Sequence, residues 1–510
     1  MTQLAEGSAA KTPLVLSTRD SYRSILNSTA LIGASSAINI GFSILRLKAF
    51  AVLLGPAGVG LFGLYSSLLD VAQAVAGLGV QTSGVRQIAD AQGNDARVAL
   101  TIVTIRRVSL ALAMVGALGF VVAAPWISST MAGDGTIAAI LMLAFALALR
   151  IIGGGQIALL QGKRHIADLA KVNTIGAGAS TIAAIPLIYL WGTSGIAASL
   201  AVVAGVGLAT SWWYSRKIEL PAIEMRWPAF SVEAKALLRL GAIFMISAVL
   251  TLASAYVVRL IVLQHDGLLA AGLYQAAWTI GGLYASFILQ AMGADFYPRL
   301  TSICHDEQAG NRLVNEQVQV SLLLAGPGVL MTLTLAPLVL SVLYSHEFVA
   351  AVDLLRWICL GMMLRVLAWP LGYIIVARAA NRVFFWTEIA ATTVHLLLAW
   401  ILVKHMGVLG AGMAFFGLYV WHGILVYLIV RSMTGFRWWA ANMRLIALFT
   451  GATGLVMAAS ALLPLGYAAG LSIVTTALCS AYALKMLLGL LSDDLLPARL
   501  YRIVRKLRLA

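Results

Sequence analysis

From about residue 26 to residue 490 the chain is a series of apolar runs joined by short polar breaks. A helix needs about 20 apolar residues to cross the hydrocarbon core of a bilayer. Fourteen runs meet that length, at roughly 26–54, 59–85, 105–128, 137–160, 170–191, 195–215, 238–263, 268–296, 316–344, 350–377, 384–404, 408–431, 444–463 and 466–490. No other feature limits the fold so strongly. In hydrocarbon every backbone N–H and C=O must find its partner inside the protein, which leaves helices or closed barrels. Runs of this length select helices, so the expected fold is an all-α polytopic membrane protein with about fourteen transmembrane helices. The composition agrees: 61% of residues are hydrophobic and 11% charged, against about 25% charged in soluble domains.

The net charge of +15 would suggest nucleic acid in a soluble chain. Here its placement gives a topology instead. With the N-terminus in the cytoplasm, the segments on that side hold 27 of the 35 Lys and Arg residues, and the opposite loops hold one, Lys404. Both termini are therefore expected inside, and no nucleic-acid partner is expected. The first 24 residues are polar and lack the short apolar core of a signal peptide. Cys304, Cys359 and Cys479 lie far apart and fit no metal or disulfide spacing. The longest external loop is about eight residues, too short for a catalytic domain.

The chain also repeats itself. VGLFGLYSSLLDVAQAVAGLG (59–79) resembles LLAAGLYQAAWTIGGLYASFI (268–288), and each follows a helix bearing an arginine near its outer end, Arg46 and Arg259. Arg150 and Arg365 occupy equivalent later helices, with Gly192-x-x-Gly195 and Gly407-x-x-Gly410 following at the same spacing. Six helices separate the copies, so both keep one orientation. That predicts two parallel six-helix lobes working by alternating access. The expected boundaries are an N-terminal tail at 1–24, an N-lobe at 25–236, a C-lobe at 237–433, an extra helix pair at 434–492 and a basic tail at 493–510.

Charge inside a membrane needs a reason, because even the lenient insertion scale puts one arginine at the bilayer centre at about 2.5–3.5 kcal/mol. On the first helix Ser36, Asn39, Ser43 and Arg46 form one polar stripe, spaced by three, four and three residues. The stripe is expected to face protein or water, with Asn39 and Ser43 lining a polar cavity. Lys48 lies on another face and is within reach of the outer interface by snorkelling. Arg46, Arg150, Arg259 and Arg365, at symmetric positions, suggest a basic cavity between the lobes. Alternatively, each pairs with a buried acid or with helix carbonyls. The excess of basic groups favours an anionic ligand, and arginine's fork of donors suits phosphate. Asp70, Asp353 and Glu388 either bind a coupling ion or proton, or neutralise nearby arginines; Arg356, one turn from Asp353, is its expected partner. His395, alone well inside a helix, reads as a hydrogen-bonding group of the bundle. The run Gly153-Gly154-Gly155 reads as close helix packing or a hinge. No nucleotide-binding, metalloprotease or nucleophile-elbow motif is present.

Several stretches carry a family likeness. LKAFAVLLGPAGVGLFGLY, with Lys48 and Gly55-Pro56-Ala57-Gly58-Val59-Gly60, resembles the first helix pair of the Wzx flippases of the multidrug/oligosaccharidyl-lipid/polysaccharide exporter superfamily. ALLQGKRH, through Gly162 and Arg164, resembles that family's Gly-x-Arg segment. DFYPRLTS resembles the end of its eighth helix. Residues 348–388 resemble its tenth and eleventh, with Asp353, Trp357, Gly361, Arg365, Gly372-Tyr373 and Glu388 in register. Ile358 and Met362 stand where relatives often carry Gln and an acid. The extra helix pair is similar in number to that of the fourteen-helix lipid II flippases, where it forms a groove for a lipid tail. The resemblance implies a V-shaped flippase that carries a polyprenyl (undecaprenyl) diphosphate-linked oligosaccharide from the cytoplasmic to the periplasmic leaflet of the bacterial inner membrane, for O-antigen or exopolysaccharide synthesis. Arg46, Arg150, Arg259, Arg365 and Lys48 are then its diphosphate ligands. No resident cofactor is implied, and coupling would be to the membrane potential, a proton or sodium. Partners would be the lipid-linked substrate, membrane lipids, a polymerase and a chain-length regulator. The weaker alternatives are a multidrug exporter of the same superfamily, which needs acids rather than bases in its cavity, and a non-transporting scaffold.

Overall fold

The computed structural model describes residues 18–490 except 92, 132–136, 220, 222–226 and 304. The basic tail, most of the N-terminal tail and Cys304 lie outside the described residues. Within them the chain is helical, with no strand. The helices are α1 (Thr18–Ala76), α2 (Val80–Asp90), α3 (Asp95–Val122), α4 (Ala124–Thr130), α5 (Ile137–Gly162), α6 (Ile166–Trp191), α7 (Gly195–Ser215), α8 (Trp227–Ala291), α9 (Tyr297–Ser302), α10 (Glu307–Leu343), α11 (Val352–Ala377), α12 (Asn381–Met406), α13 (Val408–Thr434), α14 (Ala440–Leu462) and α15 (Leu465–Leu490). Eleven segments are long and apolar enough to cross a membrane. Three of these contain an internal break and cross twice by length: α1 at Gly55, α8 at Gly267, and α6–α7 at Gly192. The fourteen expected crossings are therefore all present as helices.

Several helices outrun their apolar runs. α3 begins at Asp95, where the Asn94 side chain accepts from the Arg97 N–H, and α10 begins at Glu307, where Asp306 accepts from Ala309. Each cap satisfies one of the orphan donors of a helix start. The second run, expected over 59–85, ends instead at Ala76 and resumes as α2 after Leu78 and Gly79, both with positive φ. The cause is tertiary: a Cβ on Gly241 of α8 would collide with the Leu78 carbonyl, so the two segments meet backbone to backbone.

The buried residues fall into separate cores. One, in α1 to α7, is built on Tyr65, Leu69, Leu143, Leu147 and Ile196. A second small one joins α2, α3 and α5. The third spans α8 to α15, around Tyr274, Leu330, Ile358 and Phe415. The start of α8 packs on the first half of the molecule: Ala234 and Leu237 join its small core, and Glu233 accepts from Thr101 Oγ1 at 2.7 Å. The last pair rests on α10. Asn442 Nδ2 reaches the Asn315 carbonyl at 2.9 Å, Thr334 meets Thr476 at 2.8 Å, and the Phe449 ring packs so close to Gly326 that a Cβ there would collide with it. Cys359 and Cys479 are buried in separate helices.

The internal repeat is visible in the backbone. The turn from α5 to α6 and the turn from α11 to α12 share one hydrogen-bond pattern: Lys163 N–H to Leu159, Arg164 to Gln161 and His165 to Leu160, against Arg378 to Ile374, Ala379 to Val376 and Ala380 to Ile375. Arg164 and Ala379, at the same place in each, are both left-handed, with φ of 58° and 53°. Gly192 and Gly407 close α6 and α12 in left-handed turns (φ 56° and 61°). L-residues with a Cβ avoid that region, and glycine does not.

Where α1 and α8 cross, Gly60 and Gly272 meet, each five residues beyond its break at Gly55 or Gly267. A Cβ on Gly272 would collide with the Pro56 carbonyl, so small residues here set the approach of two long helices. The tripeptide Gly-Leu-Tyr, matched between the halves by sequence, starts eight residues past the first break but five past the second. That match is one turn out of the structural register.

Candidate functional site

The polar stripe of α1 faces cavities. Ser36, Asn39 and Ser43 line one of about 380 Å³, closed on its far side by Thr279, Leu283 and Tyr344 of the C-terminal half. Asn39 and Arg46 line a second, of about 450 Å³, set among α1, α5, α6 and α7. Arg150 of α5 and Asp70 of α1 line that cavity too, with Gln73, Gln81, Asn173, Ser180 and Thr210. Its volume falls in the range of about 300–1,000 Å³ usual for small-ligand sites. Its charged lining residues are two arginines and one aspartate.

Arg46 donates from Nη1 to Ser180 Oγ at 3.3 Å, a long and weak bond, and makes no ion pair among the described residues. Arg150 holds Asp70 through a single contact, Nη2 to Oδ1 at 2.9 Å. Both side chains remain partly open, 34% and 41% exposed. Asp70, Gln73, Gln81, Arg150 and Gly154 also line a third cavity of about 370 Å³, whose opposite wall is Phe244, Met245, Ala248 and Leu252 of α8. The Arg150–Asp70 pair thus stands where two cavities adjoin. The glycines beside it make room: Gly155 abuts Ser109 and Ile105, and Gly154 abuts Gln81.

The four arginines do not come together. Arg259 is buried in the C-terminal half, 7% exposed. Its Nε donates to Gln275 Oε1 at 2.9 Å, its Nη1 to the Ala255 carbonyl at 2.8 Å, and its guanidinium lies 5.7 Å from the Tyr274 ring centre. Neutral partners pin it in place, and the Asp70 carboxylate lies within its electrostatic reach. Arg365 stacks on Trp369 at 5.0 Å, makes no ion pair among the described residues, and keeps a buried Nε without an acceptor. Glu388, Tyr419 and His422 lie within electrostatic reach of it. Nearby, His395 Nδ1 meets Ser254 Oγ at 3.3 Å inside the bundle.

Lys48 does not line the cavity of Arg46 and Arg150. Its Nζ donates to the Ser341 carbonyl at 3.1 Å, across from α1 to α10. Ser341 lies in the last turn of α10, where carbonyls have no partner within the helix and the dipole favours a cation. Asp353 sits in the first turn of α11, 72% exposed, and binds Arg356 at 2.9 Å as its spacing suggested. Asp70, Asp353 and Glu388 stay on separate helices, and no group of three His, Cys, Asp or Glu suited to a metal occurs among the described residues.

Sequence reasoning passed over Asn173, Ser180, Gln73 and Gln275. The signal for the first two was available: Asn173, Gly176, Ala177 and Ser180 recur at helical spacing on one face of α6, as the α1 stripe does. Gln275 gave no such signal, since it pairs with Arg259 across the break in α8.

This arrangement, two helical halves built on a repeat with polar cavities within and between them, is that of the MOP-superfamily transporters. Over 90% of this chain and 98% of its own length, the lipid II flippase MurJ in its inward closed conformation has the same fold, with a TM-score of 0.65 at 13% identity. The inward-facing conformation of a multidrug resistance MATE family transporter of the MOP superfamily matches with a TM-score of 0.66 at 16% identity, over 77% of this chain and 94% of that one. The chain accordingly has the multi-pass helical fold of these membrane transporters. Residues 49–353 match the family described as polysaccharide biosynthesis protein, and the chain belongs to that family. Among curated relatives, the lipid III flippases of Escherichia coli K12 and Shigella flexneri are each 25% identical over 401 residues, 78% of this chain and 96% of the relative.

Proposed function

We propose that this protein is a flippase for a polyprenyl-diphosphate-linked oligosaccharide, moving it from the cytoplasmic to the periplasmic leaflet of a bacterial inner membrane for surface-polysaccharide synthesis. The single observation that carries the reading is the cavity shared by Arg46 and Arg150. A diphosphate is the charged part common to such lipids, and two guanidinium groups in a partly dehydrated site are suited to it by charge and by forked geometry. Asn173, Gln73, Gln81 and Ser180 add neutral donors around them. Family membership and the lipid III flippase relatives support the same reading.

In this account Arg46 and Arg150 bind the diphosphate. Arg259 holds α8 together, and Arg365 remains available to a different conformation. The sugars ride in the polar cavities and the polyprenyl tail stays in lipid. The two halves rock about the α1–α8 crossing. With both termini in the cytoplasm and the cell interior negative, outward passage of two negative charges gains about 4–5 kcal/mol at roughly 100 mV if the whole potential is felt. A multidrug exporter shares the fold, but the excess of arginine in this cavity disfavours organic cations.

The test is the sidedness of the lipid in cells depleted of the protein, read with a probe confined to the periplasm. The lipid-linked oligosaccharide should accumulate beyond the probe's reach. Wild-type protein should restore access, and Arg150→Ala, present at normal membrane levels, should not. Unchanged access in depleted cells would assign flipping to another protein.

A further inference from the structure

We propose that Asp70 is an internal stand-in for the substrate's phosphate: it occupies Arg150 in the empty transporter and is displaced when a diphosphate enters. The proposal rests on the diphosphate reading above and names the residue that sets its selectivity.

Three observations carry it. First, the pair is a single-point contact. One carboxylate oxygen meets one guanidinium nitrogen at 2.9 Å. Arg150's remaining donors have no protein partner among the described residues, so its fork is free to take two oxygens of a phosphate. Second, the pair is reachable. It lines two adjoining cavities, of about 450 and 370 Å³, and both side chains keep a third or more of their surface open. Third, this protein holds a buried arginine differently: Asp70 makes no direct contact with Arg259 and acts on it only at longer electrostatic range. Arg259 is pinned by the neutral Gln275 side chain and the Ala255 carbonyl, two acceptors that carry no net charge. A charged, half-open partner suits an arginine that must be released.

Displacement does not strand the carboxylate. Gln73 lies one turn along α1 from Asp70, and Gln81 lines both cavities beside it, so two side-chain amides are at hand to donate to Asp70.

The consequence is a threshold. A ligand must bind Arg150 better than one carboxylate oxygen does. A diphosphate, with more charge and more acceptor oxygens, passes more easily than a monophosphate. Asp70 thereby discriminates the diphosphate-linked lipid from polyprenyl monophosphate in the same membrane.

The test is direct binding of farnesyl diphosphate and farnesyl monophosphate to the purified full chain in nanodiscs. Wild type, Asp70→Asn, Arg150→Ala and the double variant are compared, with Asp70→Ser as a second replacement. The account expects wild type to prefer the diphosphate. Asp70→Asn should bind both ligands more tightly, by up to about fivefold, the scale of a partly solvated ion pair released, and the preference should narrow. That gain should vanish in the Arg150→Ala background. An equal gain with and without Arg150 would mean that Asp70 acts only through its field at a distance, and would overturn the proposal. Unchanged or weaker binding by Asp70→Asn would overturn it as well. If neither wild type nor the Asp70 variants bind farnesyl diphosphate, or if Arg150→Ala binds it as wild type does, the diphosphate reading itself fails.

Discussion

The two halves of this protein place their arginines in opposite circumstances. In the N-terminal half Arg46 and Arg150 line an open cavity, and the one acid beside them is itself half exposed. In the C-terminal half Arg259 is buried and hydrogen-bonded to neutral groups, and Arg365 lies against Trp369. The repeat keeps Arg150 and Arg365 at the same spacing before Gly192 and Gly407 but not in the same environment. On the reading proposed above, the first half meets a ligand with its arginines, whereas Arg259 in the second links the two segments of α8 across their break.

That contrast is most easily broken at Arg150. Arg150→Ala should lower transport about tenfold or more, since a charge-assisted hydrogen bond is worth about 1.5–3 kcal/mol, while Arg150→Lys keeps part of it. Reconstituted vesicles with a lipid-linked oligosaccharide give the readout. Arg365→Ala should cost only about 0.5–1 kcal/mol of stability through its lost stacking and leave diphosphate binding within about twofold of wild type. Equal losses at Arg150 and Arg365 would erase the contrast. In the C-terminal half, Gln275→Leu removes the acceptor of the buried Arg259 Nε. It should cost about 1–3 kcal/mol, seen as a lower Tm of the purified protein, with diphosphate binding retained. Lys48→Met removes the cation from the last turn of α10 and should cost about 0.3–1 kcal/mol on the same thermal scale. Asp353→Asn should cost at most about 1 kcal/mol on that scale and leave transport unchanged, because the Asp353 carboxylate is 72% exposed.

Much of this could be read from the sequence, and the limits have identifiable causes. Hydropathy finds the part of a helix that sits in hydrocarbon, so all fourteen crossings were legible, whereas the capped extensions at Asn94 and Asp306 were not. The Gly-x-x-Gly turns were legible because Gly192 and Gly407 must adopt positive φ. The register of Gly-Leu-Tyr was not, because three apolar letters match as well one turn away. For the site, spacing placed Ser36, Asn39, Ser43 and Arg46 on one face of α1. Periodicity describes one helix at a time, however. It could not say that Asp70 reaches Arg150 on α5, or that Arg259 is satisfied by Gln275 sixteen residues along the chain.

The most direct test is a structure of the full chain bound to a polyprenyl-diphosphate oligosaccharide. The account predicts phosphate oxygens within hydrogen-bond distance of Arg46 and Arg150, with the Asp70 carboxylate turned away from Arg150. Phosphates lodged against Arg365 instead, with the Arg150–Asp70 contact intact, would contradict it.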